Sequence, residues 1–218
     1  PTTLLSSAAS DVYKRQVLGG WLVSQRSGLT FDLMLAGAFF VLFYTWPLKY
    51  YGLGEPAVLL VWGPLMVGGS YYVLAGQWSW DVAWLSLVFA LGPTTVLFGK
   101  HTDKLEADRS KGVNTLPVIL GERLSRYSVL AMIAAQYLLI IALVLAGSFG
   151  WALLLVLISL PVLPCLFQVY QAPKPTAKPQ GYPDEVWPLW FSAYAFRHTR
   201  RFTSLFLVGV ILDTVIAG

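Results

Sequence analysis

A chain of 218 residues that is 56% hydrophobic and only 12% charged, with mean hydropathy +0.64, carries about half the charge of an ordinary soluble domain. That composition points to one integral membrane domain built mostly of helices, because a helix satisfies its own backbone in lipid. The single cysteine, Cys165, excludes an internal disulfide and any cysteine-based metal cluster. The net charge of +4 is explained by membrane topology and calls for no nucleic-acid partner.

Residues 1–16 form a polar, Ser/Ala-rich stretch joined abruptly to an apolar one. It reads as a non-native tail of the kind left by a translated sequencing adapter, with the membrane domain occupying 17–218. No secretory signal opens the chain. The first apolar run, 17–24, is short and reads as the end of a span whose beginning is missing. Runs at 31–46, 56–76, 81–98, 128–146, 150–170 and 202–217 are each long enough to cross, or nearly cross, a bilayer. The expectation is an all-α, multi-pass transmembrane bundle of about six full spans plus one partial.

Between the second and third runs, Tyr44-Thr-Trp-Pro47-Leu-Lys49 leads into Gly52-Leu-Gly54-Glu55, a turn by its proline and glycines. Lys49 either snorkels to the membrane interface or contacts phosphate. Glu55 suits the N-terminal dipole of the following helix.

The loop at 99–127 is the most polar part of the chain. Asp103, Lys104, Glu106, Asp108, Arg109 and Lys111 place three carboxylates and three cations within nine residues. Carboxylates can hold a hard divalent cation, and adjacent Lys and Arg can hold phosphate. On a regular helix Asp103 and Glu106 fall about 60° apart, whereas Asp108 lies about 160° from Glu106. Either the helix unwinds near Ala107 or only part of the set touches the ion. A plain solvated loop with a Lys104–Asp108 pair is the bland alternative. His101 reads as a hydrogen-bonded interfacial histidine rather than a ligand. Gly112 and Asn114 mark a tight turn, and Thr115-Leu-Pro117 opens a short amphipathic helix ending at Gly121.

The last loop, 171–201, holds Pro173, Pro175, Pro179, Pro183 and Pro188, which preclude a continuous helix. Arg197, Arg200 and Arg201 precede the final run and suit anionic headgroups. Asp213 lies within that run, near its outer end. Alternate loops share twelve Lys and Arg, and the opposite loops hold only Arg26. The positive-inside rule therefore places the acidic loop on the cytoplasmic side. Trp46, Trp78, Trp80, Trp151, Trp187 and Trp190 lie near proposed span ends, as an interfacial belt requires.

Four segments together resemble the UbiA superfamily of intramembrane prenyltransferases. They are Tyr44-Thr-Trp-Pro47-Leu-Lys49 with Gly52-Leu-Gly54-Glu55; Trp62-Gly-Pro-Leu-Met-Val67; Glu106-Ala-Asp108-Arg109-x-x-Gly112-x-x-Thr115-Leu-Pro-Val118; and Phe196-x-x-Thr199-Arg200-Arg201 with Leu205-Phe-Leu. The first two lean toward the branch that prenylates dihydroxynaphthoate in menaquinone synthesis. The resemblance implies Mg²⁺-dependent transfer from a polyprenyl diphosphate to an aromatic acceptor, within a prokaryotic cytoplasmic (inner) membrane and its lipid. It implies catalytic and metal-binding roles for Asp103, Glu106 and Asp108, and diphosphate contacts from Lys49, Lys104, Arg109 and Lys111. Tyr44 and Asn114 are then substrate-binding residues. The family's Asn-Asp-x-x-Asp motif is absent, so the resemblance implies a bundle whose first helices are missing and a fragment inactive alone. The family's Asp-x-x-x-Asp spacing puts Lys104 where the first acid is expected. The rival readings are a transporter or assembly partner, or a relative acting on 4-hydroxybenzoate, haem or a chlorophyll precursor.

Overall fold

The computed structural model describes residue 14, residues 17–26 and residues 28–217. The rest of the segment read as a non-native tail lies outside the described residues. Every apolar run becomes a helix: α1 (17–25), α2 (Leu29–Phe43), α3 (Gly54–Ala75), α4 (Trp80–Asp103), α6 (Leu116–Leu145), α7 (Trp151–Gln171) and α8 (Phe191–Ala217). The short α5 (Leu105–Ser110) carries the acidic loop. No strand occurs among the described residues, only an isolated parallel bridge between Tyr51 and Asn114.

Four helices, α3, α4, α6 and α7, are long and apolar enough to cross a membrane. The 15-residue α2 is apolar but shorter, and α8 is not among the four. The length of α8 exceeds its apolar run because it begins eleven residues earlier, taking in Arg197, Arg200 and Arg201. The expected total of six spans plus one partial thus exceeds the four that meet both criteria.

Local chemistry sets several helix ends. The Ser79 hydroxyl accepts from Val82 N at 3.3 Å and caps α4. Gly76, at φ +76°, closes α3 in a left-handed turn. Pro64 offers no amide hydrogen, and α3 widens to π winding over Val61–Gly68 around it. Gly121 (φ 79°, ψ 165°) breaks α6 after a single turn, so the short helix expected to end there does so, and a long one follows.

α4 is central and packs against α3, α6 and α8, while α8 also lies along α7. The core between them holds Val88, Phe98, Ile133, Ile140, Leu153 and Phe202. Large apolar side chains such as Val41 (82% exposed) and Leu138 (67% exposed) face outward, as a lipid-facing surface requires.

Hydrogen bonds between distant segments sort the loops into two ends. At one end Asp103, closing α4, bonds to the start of α8, and Glu55, opening α3, bonds to the start of α6. At the other, the Ser148 hydroxyl donates to Asp81 at 2.9 Å, and Gly150 N donates to Asp213 at 2.9 Å. Asp213 therefore serves the entry to α7. Close approach of α4 and α8 depends on Gly99, where an added Cβ would lie 2.8 Å from Ser192 N. Small residues at a crossing let two membrane helices touch backbone to backbone.

Candidate functional site

The acidic loop is not one helix. Its chain turns at Lys104 (φ −111°, ψ 16°), between α4 and α5, three residues before the break expected near Ala107. The turn separates Asp103 from Glu106 and Asp108. The side chain of Asp103 is fully buried, with Oδ1 accepting from Phe191 N at 2.9 Å and Oδ2 from Ser192 N at 3.0 Å. A carboxylate there meets the free amides and positive dipole end of α8. Lys174 adds charge, with Nζ 2.9 Å from the Asp103 carbonyl oxygen and 3.9 Å from Oδ1. Asp103 is thus engaged by the α8 amides, on the other side of the turn from Glu106 and Asp108.

Asp108 is held from the other side of the turn. Its Oδ2 lies 2.9 Å from Nδ1 of His101, and both side chains are largely buried. The Lys104–Asp108 pair of the bland alternative does not occur among the described residues. Lys104 caps α5, with its carbonyl accepting from Asp108 N at 2.8 Å, but its own backbone is not helical (φ −111°) and its side chain is exposed. Glu106 projects outward and pairs with Arg109 at 2.9 Å, three residues on.

Glu55 is the residue that sequence reasoning undervalued. It does sit in the first turn of α3, but it is only 2% exposed, and its Oε2 accepts from Leu116 N at 3.3 Å. Thr115 makes no side-chain cap for α6, so Glu55 takes that place across 61 residues. Its Oε1 is buried without a hydrogen-bond partner. His101, Asp108 and the Tyr44 hydroxyl all lie within its electrostatic reach. The signal in the sequence was its isolation: it is the one acid between Asp32 and Asp81.

Asp103, Lys104, Glu106, Asp108, Arg109 and Lys111 line one groove of about 800 Å³, joined by Glu122, Lys174 and Pro188. Lys49 lies apart, half-buried against Gly54, and Asn114 is exposed at its bridge to Tyr51. Gly52 (φ +71°) makes that bridge possible, because a Cβ there would meet Ile119 Cδ1 at 2.5 Å. Tyr44 borders two apolar grooves of about 390 and 370 Å³ beside α3. The acidic groove and these apolar grooves lie toward the same end of the bundle.

The 172–190 loop docks on the groove through Lys174, whose ammonium lies 5.4 Å from the Trp187 ring centroid. Tyr182 donates to the Leu189 carbonyl at 2.6 Å and packs on Trp190. Burial pushes the Tyr182 phenol up to about 12, with Tyr194 and Asp103 adding repulsion toward the phenolate. A free tyrosine ionises near 10. The contribution of Tyr182 to loop docking is therefore complete below pH about 10 and is lost as pH rises toward 12. Tryptophan fluorescence of wild type and Tyr182→Phe across pH 8–12 checks this: the wild type is expected to change more than the variant toward pH 12, and the difference between the two curves reports Tyr182.

Among the described residues no three His, Cys, Asp or Glu side chains converge closely enough to hold a metal by themselves. The acids present still suit Mg²⁺. Asp108 and Glu106 are hard oxygen donors at the edge of an open groove, and Mg²⁺ needs only one or two carboxylates when substrate phosphate and water complete its shell.

Comparison with known proteins finds relatives of this chain. The UbiA prenyltransferase family model matches residues 16–182. A 2-carboxy-1,4-naphthoquinone phytyltransferase from Synechocystis is 31% identical over 150 residues, covering 66% of this chain and 49% of that protein. A 1,4-dihydroxy-2-naphthoate octaprenyltransferase from Haemophilus influenzae is 29% identical over 117 residues, covering 54% and 38%. UbiA prenyltransferase domain-containing protein 1 of Danio rerio is 30% identical over 115 residues, covering 53% and 34%. The chain spans about half or less of the length of these curated relatives. No solved structure matches. Over most of its length, this chain belongs to the UbiA prenyltransferase family.

Proposed function

We propose that the protein transfers a prenyl group from a polyprenyl diphosphate to an aromatic quinone precursor within the membrane, with a naphthoate-type acceptor favoured by the names of two relatives. The observation that carries this reading is the 800 Å³ groove that sets Asp108, fixed by His101, among Lys104, Arg109 and Lys111. Asp108 is the metal-facing acid of this proposal, and Glu106, turned outward on the opposite side of α5, adds negative charge at the rim of the groove. Asp103, Glu55 and His101 hold the frame in which they sit. Lys104, Arg109 and Lys111 take the diphosphate, with Lys49 at the neighbouring turn. Tyr44 borders the apolar space for substrate, and Asn114 braces the loop.

The allylic carbon–oxygen bond breaks, and its electron pair leaves on the diphosphate. An electron-rich ring carbon supplies the pair for the new carbon–carbon bond. It then gives up the group it carried, a proton or a carboxylate lost as CO₂, and the ring regains aromaticity. Asp108 would hold Mg²⁺, which when bound would supply positive charge against the leaving diphosphate. The cations of the groove offset the same developing charge. Apolar helix walls keep water away from the allylic cation.

In the same proposal the chain crosses a prokaryotic inner membrane six times, with α1 as a further partial span. The end bearing the twelve Lys and Arg faces the cytoplasm, and membrane lipid surrounds the bundle. The test is binding of a non-ionising donor, farnesyl thiodiphosphate, to the protein in nanodiscs. Binding is expected to require Mg²⁺ and to vanish with EDTA. Metal-independent binding would instead favour a non-enzymatic membrane protein.

A further inference from the structure

One stripe of α8 stays uncovered among the described residues. Arg197, Arg201, Ser204, Val208, Ile211 and Val215 are all exposed and follow one another at i+3 or i+4, so they share a face. Along that face the chemistry passes from cationic to apolar. Arg197 stands about 27 Å from Val215 along the helix axis, close to the roughly 30 Å of a hydrocarbon core. With Val215 near one edge of that core, Arg197 reaches the headgroups at the other.

Beside Arg197, between α8 and the 172–190 loop, lies a pocket of about 300 Å³ lined by Tyr182, Pro183, Val186, Ala193, Tyr194 and Arg197. Two of its polar groups are unengaged. Arg197 forms no ion pair among the described residues. The Tyr194 hydroxyl, within electrostatic reach of that guanidinium, makes no hydrogen bond among them either. Ring contacts fix the wall: Trp190 packs on Tyr182 at 5.2 Å and on Tyr194 at 5.1 Å. No acid lines the pocket. Of the two in the adjoining loop, Asp184 pairs with Lys178 and Glu185 is exposed.

We infer that this pocket binds the phosphodiester of an anionic phospholipid, whose acyl chains run down the apolar part of the α8 stripe. The planar guanidinium matches two phosphate oxygens, and the phenol donates to one of them. Pro183 and Val186 offer an apolar floor to the glycerol backbone. Arg201, one turn further along the same face, adds attraction for a headgroup of net negative charge. A choline or ethanolamine head finds no carboxylate in the pocket to pair with its ammonium. An anionic lipid is therefore favoured over a zwitterionic one. A prenyl diphosphate has its own cations, Lys104, Arg109 and Lys111, in the acidic groove.

This inference rests on the proposed reading for the passage of α8 across the bilayer, and makes no use of prenyl transfer. The detergent-solubilised protein is titrated with dioleoylphosphatidylglycerol or dioleoylphosphatidylcholine, and native mass spectrometry counts the lipid bound. Wild type is expected to bind a first phosphatidylglycerol about tenfold more tightly than phosphatidylcholine. Arg197→Gln is expected to weaken that first site about tenfold and Tyr194→Phe about threefold. Arg123→Gln, which removes an exposed cation of α6 outside the pocket, is expected to leave it unchanged. Arg197 is itself exposed, so its replacement does not threaten folding. Millimolar inorganic phosphate is expected not to displace the lipid. Equal binding of the two lipids by wild type, or equal losses in Arg197→Gln and Arg123→Gln, overturns the assignment. Displacement by phosphate overturns it as well, because the site would then serve free phosphate. Wild type and Arg197→Gln are expected to bind farnesyl thiodiphosphate with Mg²⁺ alike. Failure of wild type in that second assay would count against prenyl transfer and leave the lipid result standing.

Discussion

Asp108→Ala is expected to lower prenyl transfer by at least about 10²–10³-fold, the scale on which a single group that offsets transition-state charge is felt. The loss has two sources. The carboxylate facing the groove disappears, and His101, buried at 7% exposure, is left without its partner. Asp108→Asn separates them, because the amide can still accept from His101 while losing its charge. Mg²⁺-dependent binding of farnesyl thiodiphosphate is expected to fail in both variants, whereas thermal stability should fall mainly in the alanine variant. Undiminished turnover in either variant, assayed in the full reading frame that encodes this chain, would refute the role of Asp108.

The largest effect on stability is expected at Asp103. Asp103→Ala leaves Phe191 N and Ser192 N buried at the helix start without an acceptor, and Lys174 without its counter-charge. Breaking a buried charged contact of this kind costs about 3 kcal/mol or more. For a domain of this length that corresponds to a fall in Tm of roughly 6–12 °C. Asp103→Asn keeps an acceptor for at least one amide and should recover part of the loss. It should also keep Mg²⁺-dependent donor binding, in contrast to Asp108→Asn. Loss of metal-dependent binding in folded Asp103→Asn would return Asp103 to the metal site.

The helices were legible because their signal is local. Long runs such as Leu138 to Leu145 admit little else in lipid, and Gly121 announced its own break through a backbone angle that favours glycine. The site was legible only as a list. Nothing within residues 99–112 says that the chain turns at Lys104, because that turn is stabilised by amides 88 and 89 residues away. Likewise the Glu55 charge does suit the start of its own helix, yet its hydrogen bond goes to another. The pairing of Asp108 with His101 rather than Lys104 follows from the same turn. Regular spacing rules hold within one helix and fail across two.

Two carboxylates, Asp103 and Glu55, each begin a helix to which they do not belong. This has a consequence for how the protein is made. As the chain emerges from a ribosome into a membrane, α4 and the acidic loop are delivered long before residues 191 and 192. Until those amides arrive, Asp103 has no reason to leave water, and the turn at Lys104 lacks its anchor. The groove is therefore completed only when α8 is inserted. A nascent chain halted before α8 would display every acidic and basic residue of the site without yet possessing the site.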